Sequence, residues 1–213
     1  MPSLKLTYFD LRGRAEPIRL AFLLSDIEYE DDRFSFPQWK EVKPKTPYGS
    51  VPTLTVDGEQ MAQSGAILRY VGKLAALYPS DAIAALKVDE VMETLVDLNN
   101  STYSYRGSDT EQLKAARKKL VDEDIPRYVG ALEKRLETFG GASHAVGNEL
   151  TVADLVITCT VNSVQCGILD YVPVDVLDQY PRINAIHKAV MDNPKVVEWY
   201  KKYPIKKQTP KMD

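Results

Sequence analysis

Cysteine is scarce in this chain, and its two copies fall late, at Cys159 and Cys166. Neither a Cys-x-x-Cys dithiol nor a catalytic cysteine near the start is therefore available. The two are seven residues apart on a predicted helix. That is a rise of roughly 10 Å, too far for a disulfide within the helix, so both read as reduced core residues. Histidine is as sparse: His144 and His187 stand apart, and no spacing suits zinc. No apolar run reaches about 18 residues and no basic–apolar leader opens the chain, so the cytosol is the expected compartment. Charge of one sign does not accumulate either. With 27 basic against 30 acidic residues and a net charge of −3, a general nucleic-acid binder is disfavoured. The lysines at 201–202 and 206–207 read as a solvated tail.

What is present suits two unequal domains: 213 residues, of which 44% are hydrophobic. Leu4, Leu6 and Tyr8 alternate with Lys5, Thr7 and Phe9, a short strand. Gly13 breaks it, and Ala15, Ile18, Phe22 and Ser25 then follow a helical face, with Pro17 tolerable only in the first turn. A second strand fits Tyr29–Phe34. Val51 to Val56, Asp57-Gly58 and Glu59–Ala62 read as a hairpin. Ser64 can cap a helix carrying Ile67, Leu68, Val71 and Leu74. The order is β-α-β, a loop, then β-β-α. Residues 78–82 follow as a linker rich in turn formers.

Everything after that linker reads helical. Val88, Val91, Leu95 and Leu98 form one stripe. Leu113, Leu120, Ile125, Val129, Leu132 and Leu136 form a second long segment. Thr151-Val152-Ala153-Asp154 is a capping-box start, with Leu150 and Leu155 placed as a staple, for a helix carrying Leu155, Val156, Cys159 and Val164. Shorter helices fit Pro181–Met191 and Pro194–Tyr200.

Two local signals carry chemistry. Pro52 cannot donate a ladder bond; were the Val51-Pro52 bond cis, the N–H and C=O of Val51 would face outward, ready to pair with an extended peptide. Alone, Val-Pro is also an ordinary turn signal. Ser64 opens a helix, where free N–H groups and the dipole favour a carboxylate, though a serine there is equally a simple cap. Together they describe a peptide-binding edge beside a carboxylate site.

Tyr8-Phe9-Asp10-Leu11-Arg12-Gly13-Arg14-Ala15-Glu16, Gly49-Ser50-Val51-Pro52, Gln63-Ser64-Gly65-Ala66-Ile67 and Thr151-Val152-Ala153-Asp154 resemble the cytosolic glutathione transferases in order and spacing, over essentially the whole chain. The resemblance is greatest to the sigma class, which includes haematopoietic-type prostaglandin D synthases and invertebrate enzymes. It implies an α/β plus all-α chain. Residues 1–77 would form a thioredoxin-like, glutathione-binding domain of order β-α-β-α-β-β-α, and residues 83–213 an all-helical domain. The absence of any cysteine before Cys159 excludes disulfide exchange of the thioredoxin kind.

Residue by residue, the resemblance implies that Tyr8 donates to the glutathione sulfur and that Arg14 favours the thiolate. Trp39 and Lys43 would hold the glycyl end. Val51, ahead of Pro52, would bond the cysteinyl part through its main chain, and Gln63 and Ser64 would take the γ-glutamyl group. Asp97 would reach that group's amine from the other subunit of a homodimer, in which Tyr48 projects into the partner. Ser50 stands where many members carry Gln or Lys, which places more of the affinity on Trp39 and Lys43. Glu93, Val96 and Asp97 stand where the prostaglandin synthases carry three metal-binding aspartates, so no metal is expected. Phe9, Arg14, Tyr103, Tyr105 and Thr160 are the candidates for an electrophile pocket between the domains. The implied activity is conjugation of glutathione to hydrophobic electrophiles, with hydroperoxide reduction open to the same thiolate. The alternatives are a prostaglandin D-type isomerase and a non-catalytic, crystallin-like binding protein.

Overall fold

The computed structural model, which describes residues 2–103 and 109–204, divides into two compact units, one containing the sheet and one helical. The first unit runs through Tyr78 and takes in the segment from Pro194; the second spans Pro79 to Asn193. The last helix thus groups with the sheet.

In the first unit, strands β1 (Leu4–Phe9), β2 (Glu30–Phe34), β3 (Thr53–Val56) and β4 (Glu59–Ala62) lie in the order β2-β1-β3-β4. β1 pairs parallel with β2 and antiparallel with β3. The β3–β4 hairpin turns at Asp57-Gly58, both with positive φ, as a tight primed turn requires. The third strand begins at Thr53, two residues later than the apolar run from Val51, because Pro52 has no N–H for the ladder.

Helix α1 (Glu16–Leu24) follows a 3-10 turn at Gly13–Ala15, with Pro17 in its first turn. Its expected single apolar face is too narrow. Glu16, Ile18, Arg19, Leu20, Ala21 and Phe22 are all buried, because α3 (Ser64–Leu74) and α9 (Pro194–Lys202) both cover it. The stretch that read as a loop holds α2 (Trp39–Val42) between 3-10 turns at Phe36–Gln38 and Lys43–Lys45. α3 buries Ile67, Leu68 and Val71, while Leu74 is exposed.

The second unit is helical: α4 (Ala82–Thr102), α5 (Thr110–Lys119), α6 (Ile125–Phe139), α7 (Val152–Gln165) and α8 (Pro181–Met191). The Asp81 carboxylate caps α4 by accepting from Ala84 N–H. The long segment expected from Leu113 to Leu136 is broken by a π-helical turn at Leu120–Asp124. Pro126 explains the break: it has no N–H to return to the carbonyl four residues back. The capping box forms as read. Asp154 Oδ2 accepts from the Thr151 N–H and hydroxyl, both at 2.8 Å, and its Oδ1 accepts from Ala145 N–H at 2.7 Å. Burial pushes the Asp154 carboxyl up, against the pull of those bonds. α7 is buried almost all round, with Leu155, Ile157, Val161 and Val164 in the core, while Val156 and Cys159 are only half-buried. Neither cysteine forms a disulfide, and both are half-buried rather than core residues.

Candidate active site

The first unit places a peptide edge and a helix start on one recess, and a phenol in contact with Arg14, which lines it. Tyr8 ends the buried face of β1 and is 8% exposed. Its hydroxyl accepts from the Arg14 N–H at 3.2 Å. No acceptor for the hydroxyl's own proton is found among the described residues, so that proton is free to be donated. Burial pushes the Tyr8 pKa up, only partly offset by the Arg14 N–H and by the Arg14 and Arg19 guanidinium charges. The phenol is therefore neutral at physiological pH. It can act as a hydrogen-bond donor and not as a tyrosinate base.

Gly13 makes this contact possible. With φ at +45°, it turns the chain so that Arg14 N–H faces back toward Tyr8, and a Cβ at Gly13 would lie 2.6 Å from the Tyr8 hydroxyl oxygen. The intervening loop is held from beneath by Arg19, whose side chain is fully buried. Its Nη1 donates to the carbonyls of Leu11 (2.6 Å) and Arg12 (3.5 Å), its Nη2 to Phe9 (3.4 Å), and its Nε to Asp31 (3.1 Å).

The recess itself is lined by Arg14, Ser50, Val51, Pro52, Gln63 and Ser64. The Val51-Pro52 bond is cis. Among the described residues, no backbone hydrogen bond uses the N–H or C=O of Val51, so both groups remain for a ligand. Ser64 is the first helical residue of α3 rather than its cap, because Gln63 takes the N-cap position with φ 74° and ψ 106° and gives no side-chain cap. A non-glycine residue there is strained, and such strain collects at binding sites. The first N–H groups of α3 consequently point out with the positive end of the dipole, and Gln63 C=O accepts from Ile67 N–H at 2.9 Å. Arg69, one turn along, adds charge here: a Cβ on Gly65 would lie 3.1 Å from its Nη1.

Other predicted residues fall around or away from this recess. Lys43 is exposed and its stem lies over Gly49, beside Ser50: a Cβ on Gly49 would be 3.4 Å from Lys43 Cε. Trp39 is half-buried, 5.4 Å from the Phe9 ring and stacked at 5.9 Å on Phe34. Phe9 is the centre of that aromatic cluster, touching Tyr8, Phe34, Phe36 and Trp39, and does not line the recess. Tyr48 is 73% exposed. In the second unit, Asp97 is exposed on α4, Tyr103 follows that helix and is also exposed, and Thr160 is buried on α7. Tyr105 lies outside the described residues. Among those residues no group of three potential metal ligands occurs.

Comparison with known families decides what this arrangement belongs to. Residues 4–73 match the model of the glutathione S-transferase N-terminal domain, and residues 96–203 match that of the C-terminal domain. The chain belongs to the glutathione S-transferase family. It is 35% identical to human hematopoietic prostaglandin D synthase over 96% of this chain and 98% of that one. It is 33% identical to glutathione S-transferase 3 of Caenorhabditis elegans, again over 96% and 98%. Among solved structures, a prostaglandin synthase D of Nilaparvata lugens superimposes with a TM-score of 0.86 at 32% identity, over 96% of this chain and all of that one. The mixed sheet in β-α-β-α-β-β-α order, followed by helices, is the thioredoxin-like and helical pairing of the glutathione transferase fold.

For a glutathione transferase, the residues that sequence reasoning passed over are Gly13, Arg19 and Arg69. Gly13 read only as a strand breaker. Arg19 had a visible signal: it is a lone charge inside the otherwise apolar run Pro17 to Phe22, three residues after Glu16, with which it forms a buried ion pair.

Proposed function

We propose that this glutathione transferase binds glutathione across the Val51–Ser64 edge, holds its thiol as a thiolate beside Tyr8, and presents that sulfur to hydrophobic electrophiles. The observation that carries this reading is a single recess lined by Arg14, Ser50, Val51, Pro52, Gln63 and Ser64, next to a neutral, proton-bearing Tyr8 hydroxyl. A free thiol with pKa about 8.5 is only a few per cent thiolate at neutral pH, and lowering it by about two units takes roughly 2.7 kcal/mol. A charge-assisted bond from Tyr8 and a nearby Arg14 guanidinium are of that order.

In this reading the two open backbone groups of Val51 pair with the cysteinyl part, and Gln63, Ser64 and the start of α3 take the γ-glutamyl carboxylate. Trp39, Lys43 and Ser50 hold the glycyl end. Asp97 serves the γ-glutamyl amine of a partner subunit and Tyr48 inserts into that partner, so the working form is a homodimer of the sigma class in the cytoplasm. Residues 1–77 are the glutathione-binding domain, 78–82 the linker and 83–213 the helical domain. Phe9, Arg14, Tyr103, Tyr105 and Thr160 contribute to electrophile binding, and organic hydroperoxides are a second substrate class. Capture on a glutathione resin, measured beside conjugation of a generic aromatic halide, tests the function: binding with turnover is expected, and binding without turnover would point instead to a crystallin-like role.

A prostaglandin-type isomerase is the second reading, motivated by the human and Nilaparvata lugens proteins so named. Glu93, Val96 and Asp97, where three aspartates are expected of it, count against it. Product analysis with an endoperoxide substrate separates the two.

A further inference from the structure

We infer that the last helix, α9, is a strap that sets the position of the thiol-activating loop, and that Trp199, Glu16 and Arg19 are its positioning residues. This inference rests on the thiol-activation reading above. The connection runs through buried groups. Trp199 Nε1 donates to Glu16 Oε1 at 2.8 Å, and Glu16, itself buried, pairs through Oε2 with Arg19 Nη1 at 3.4 Å. Arg19 in turn holds the carbonyls of Phe9, Leu11 and Arg12, the residues that lead from Tyr8 to the turn presenting Arg14 N–H.

A second line of contacts meets the same loop from outside. Arg12 Nη2 donates to the Tyr203 carbonyl at 3.1 Å, and its guanidinium lies 3.9 Å over the Tyr200 ring. Arg33 lies 4.0 Å over the Tyr203 ring and 5.5 Å over Trp199, and its Nε donates to Asp31 Oδ2 at 2.7 Å. Asp31 is the carboxylate that also holds Arg19. Two arginines and one carboxylate thus join α9, β2 and the loop after β1.

Packing alone does not explain this arrangement. A surface helix docks adequately on apolar side chains, and α9 buries Val196 for that purpose. Burying a carboxylate and a guanidinium is costly unless each finds its partners, and removing one partner strands the other. The network therefore exists in one arrangement or comes apart, and the loop's carbonyls are among its members. Loosening α9 lets the loop relax, Arg14 N–H drifts from Tyr8, and the phenol loses its aim at the sulfur. No direct contact between α9 and glutathione is needed.

The test uses the full chain with bound glutathione, following thiolate ultraviolet absorbance against pH. Trp199→Phe keeps an aromatic ring but removes the N–H donor together with the second ring of the indole; Glu16→Gln removes the charge. Both are expected to raise the bound thiol's titration by about half to one pH unit, with kcat/KM at about pH 6.5 falling roughly three- to tenfold. Glutathione Kd should stay within about twofold, and the double variant should be no worse than the worse single one. Lys195→Ala, which removes an exposed α9 ion pair to Asp26 away from the loop, should leave the titration where it is. An unmoved titration in both variants beside a lowered wild-type thiol would overturn the strap alone. So would an effect confined to glutathione Kd, or an equal shift from Lys195→Ala. A wild-type complex whose thiol titrates like free glutathione would overturn the strap and the thiol-activation reading together.

Discussion

The loop that runs from Tyr8 to Arg14 and the edge that runs from Ser50 to Ser64 meet at one recess, which Arg14 lines from the loop side, but they are built on opposite terms. In the loop, polar groups are spent internally: three carbonyls go to Arg19, Asp10 N–H goes to the Phe34 carbonyl at 2.8 Å, and Arg14 N–H goes to Tyr8. Along the edge they are left open, at Val51 and at the start of α3. On the proposed reading, the difference separates two tasks. A group that must sit within a fraction of an ångström of a reacting sulfur is fixed by bonds the substrate never touches. Groups that must grip a peptide are kept free of internal partners, so the ligand supplies their bonds.

The largest expected effect tests the loop side. Tyr8→Phe removes one hydroxyl and leaves the ring in its place in β1. Conjugation kcat/KM at neutral pH should fall about 10²-fold, as when one preorganised donor to developing charge is lost. Glutathione Kd should change little, and the rate should recover as pH rises toward the free thiol value of about 8.5. Steady-state rates across pH, beside binding by titration, check this. Full activity at neutral pH would show that the sulfur is activated by something else. Ser64→Ala tests the other side. Losing a donor to a carboxylate is worth about 1.5–3 kcal/mol, so KM for glutathione should rise roughly tenfold or more with kcat nearly constant. A fall in kcat at unchanged KM would mean that the two regions do not divide the work as their bonding suggests.

Much of the local geometry was legible in the residues. Asp57-Gly58 fixes the hairpin because only a tight turn places two positive φ values side by side, and Thr151 with Asp154 fixes a helix start because its bonds span three residues. Val51-Pro52 and Ser64 stood out for similarly local reasons, whereas Tyr8 was one strand tyrosine among twelve until the family resemblance singled it out. What stayed hidden depends on distant partners. Arg19 finds Asp31 and the loop carbonyls, and Glu16 finds Trp199 at a separation of 183 residues. Their i,i+3 spacing pairs them with each other but names none of these distant partners. Ser64 moved from cap to first helical position because Gln63 adopts a backbone conformation that its residue type rarely takes. The face of α1 read too narrow because the helix that covers its far side comes from the other end of the chain.

The smallest expected effect follows from the sign of the Tyr8 shift. Burial raises its pKa above the ordinary value of about 10, so the folded protein keeps the phenolic proton longer than the unfolded chain does. The stability this contributes is fully present below about pH 10 and is lost as pH rises through the higher folded value. In denaturant titrations, the stability difference between the wild-type chain and Tyr8→Phe should therefore be flat below about pH 10 and drift against the wild type above it. Ser64→Ala carries no titrating group and should show no such drift. The phenolate absorbance assigned to Tyr8 by difference should likewise appear only above about pH 10. A phenolate signal below about pH 9 would reverse the sign, and with it the role: Tyr8 would then be able to take the thiol proton as a base. With the shift upward, the phenol can only donate, and the thiol's own proton must leave to water or to another group as the thiolate forms.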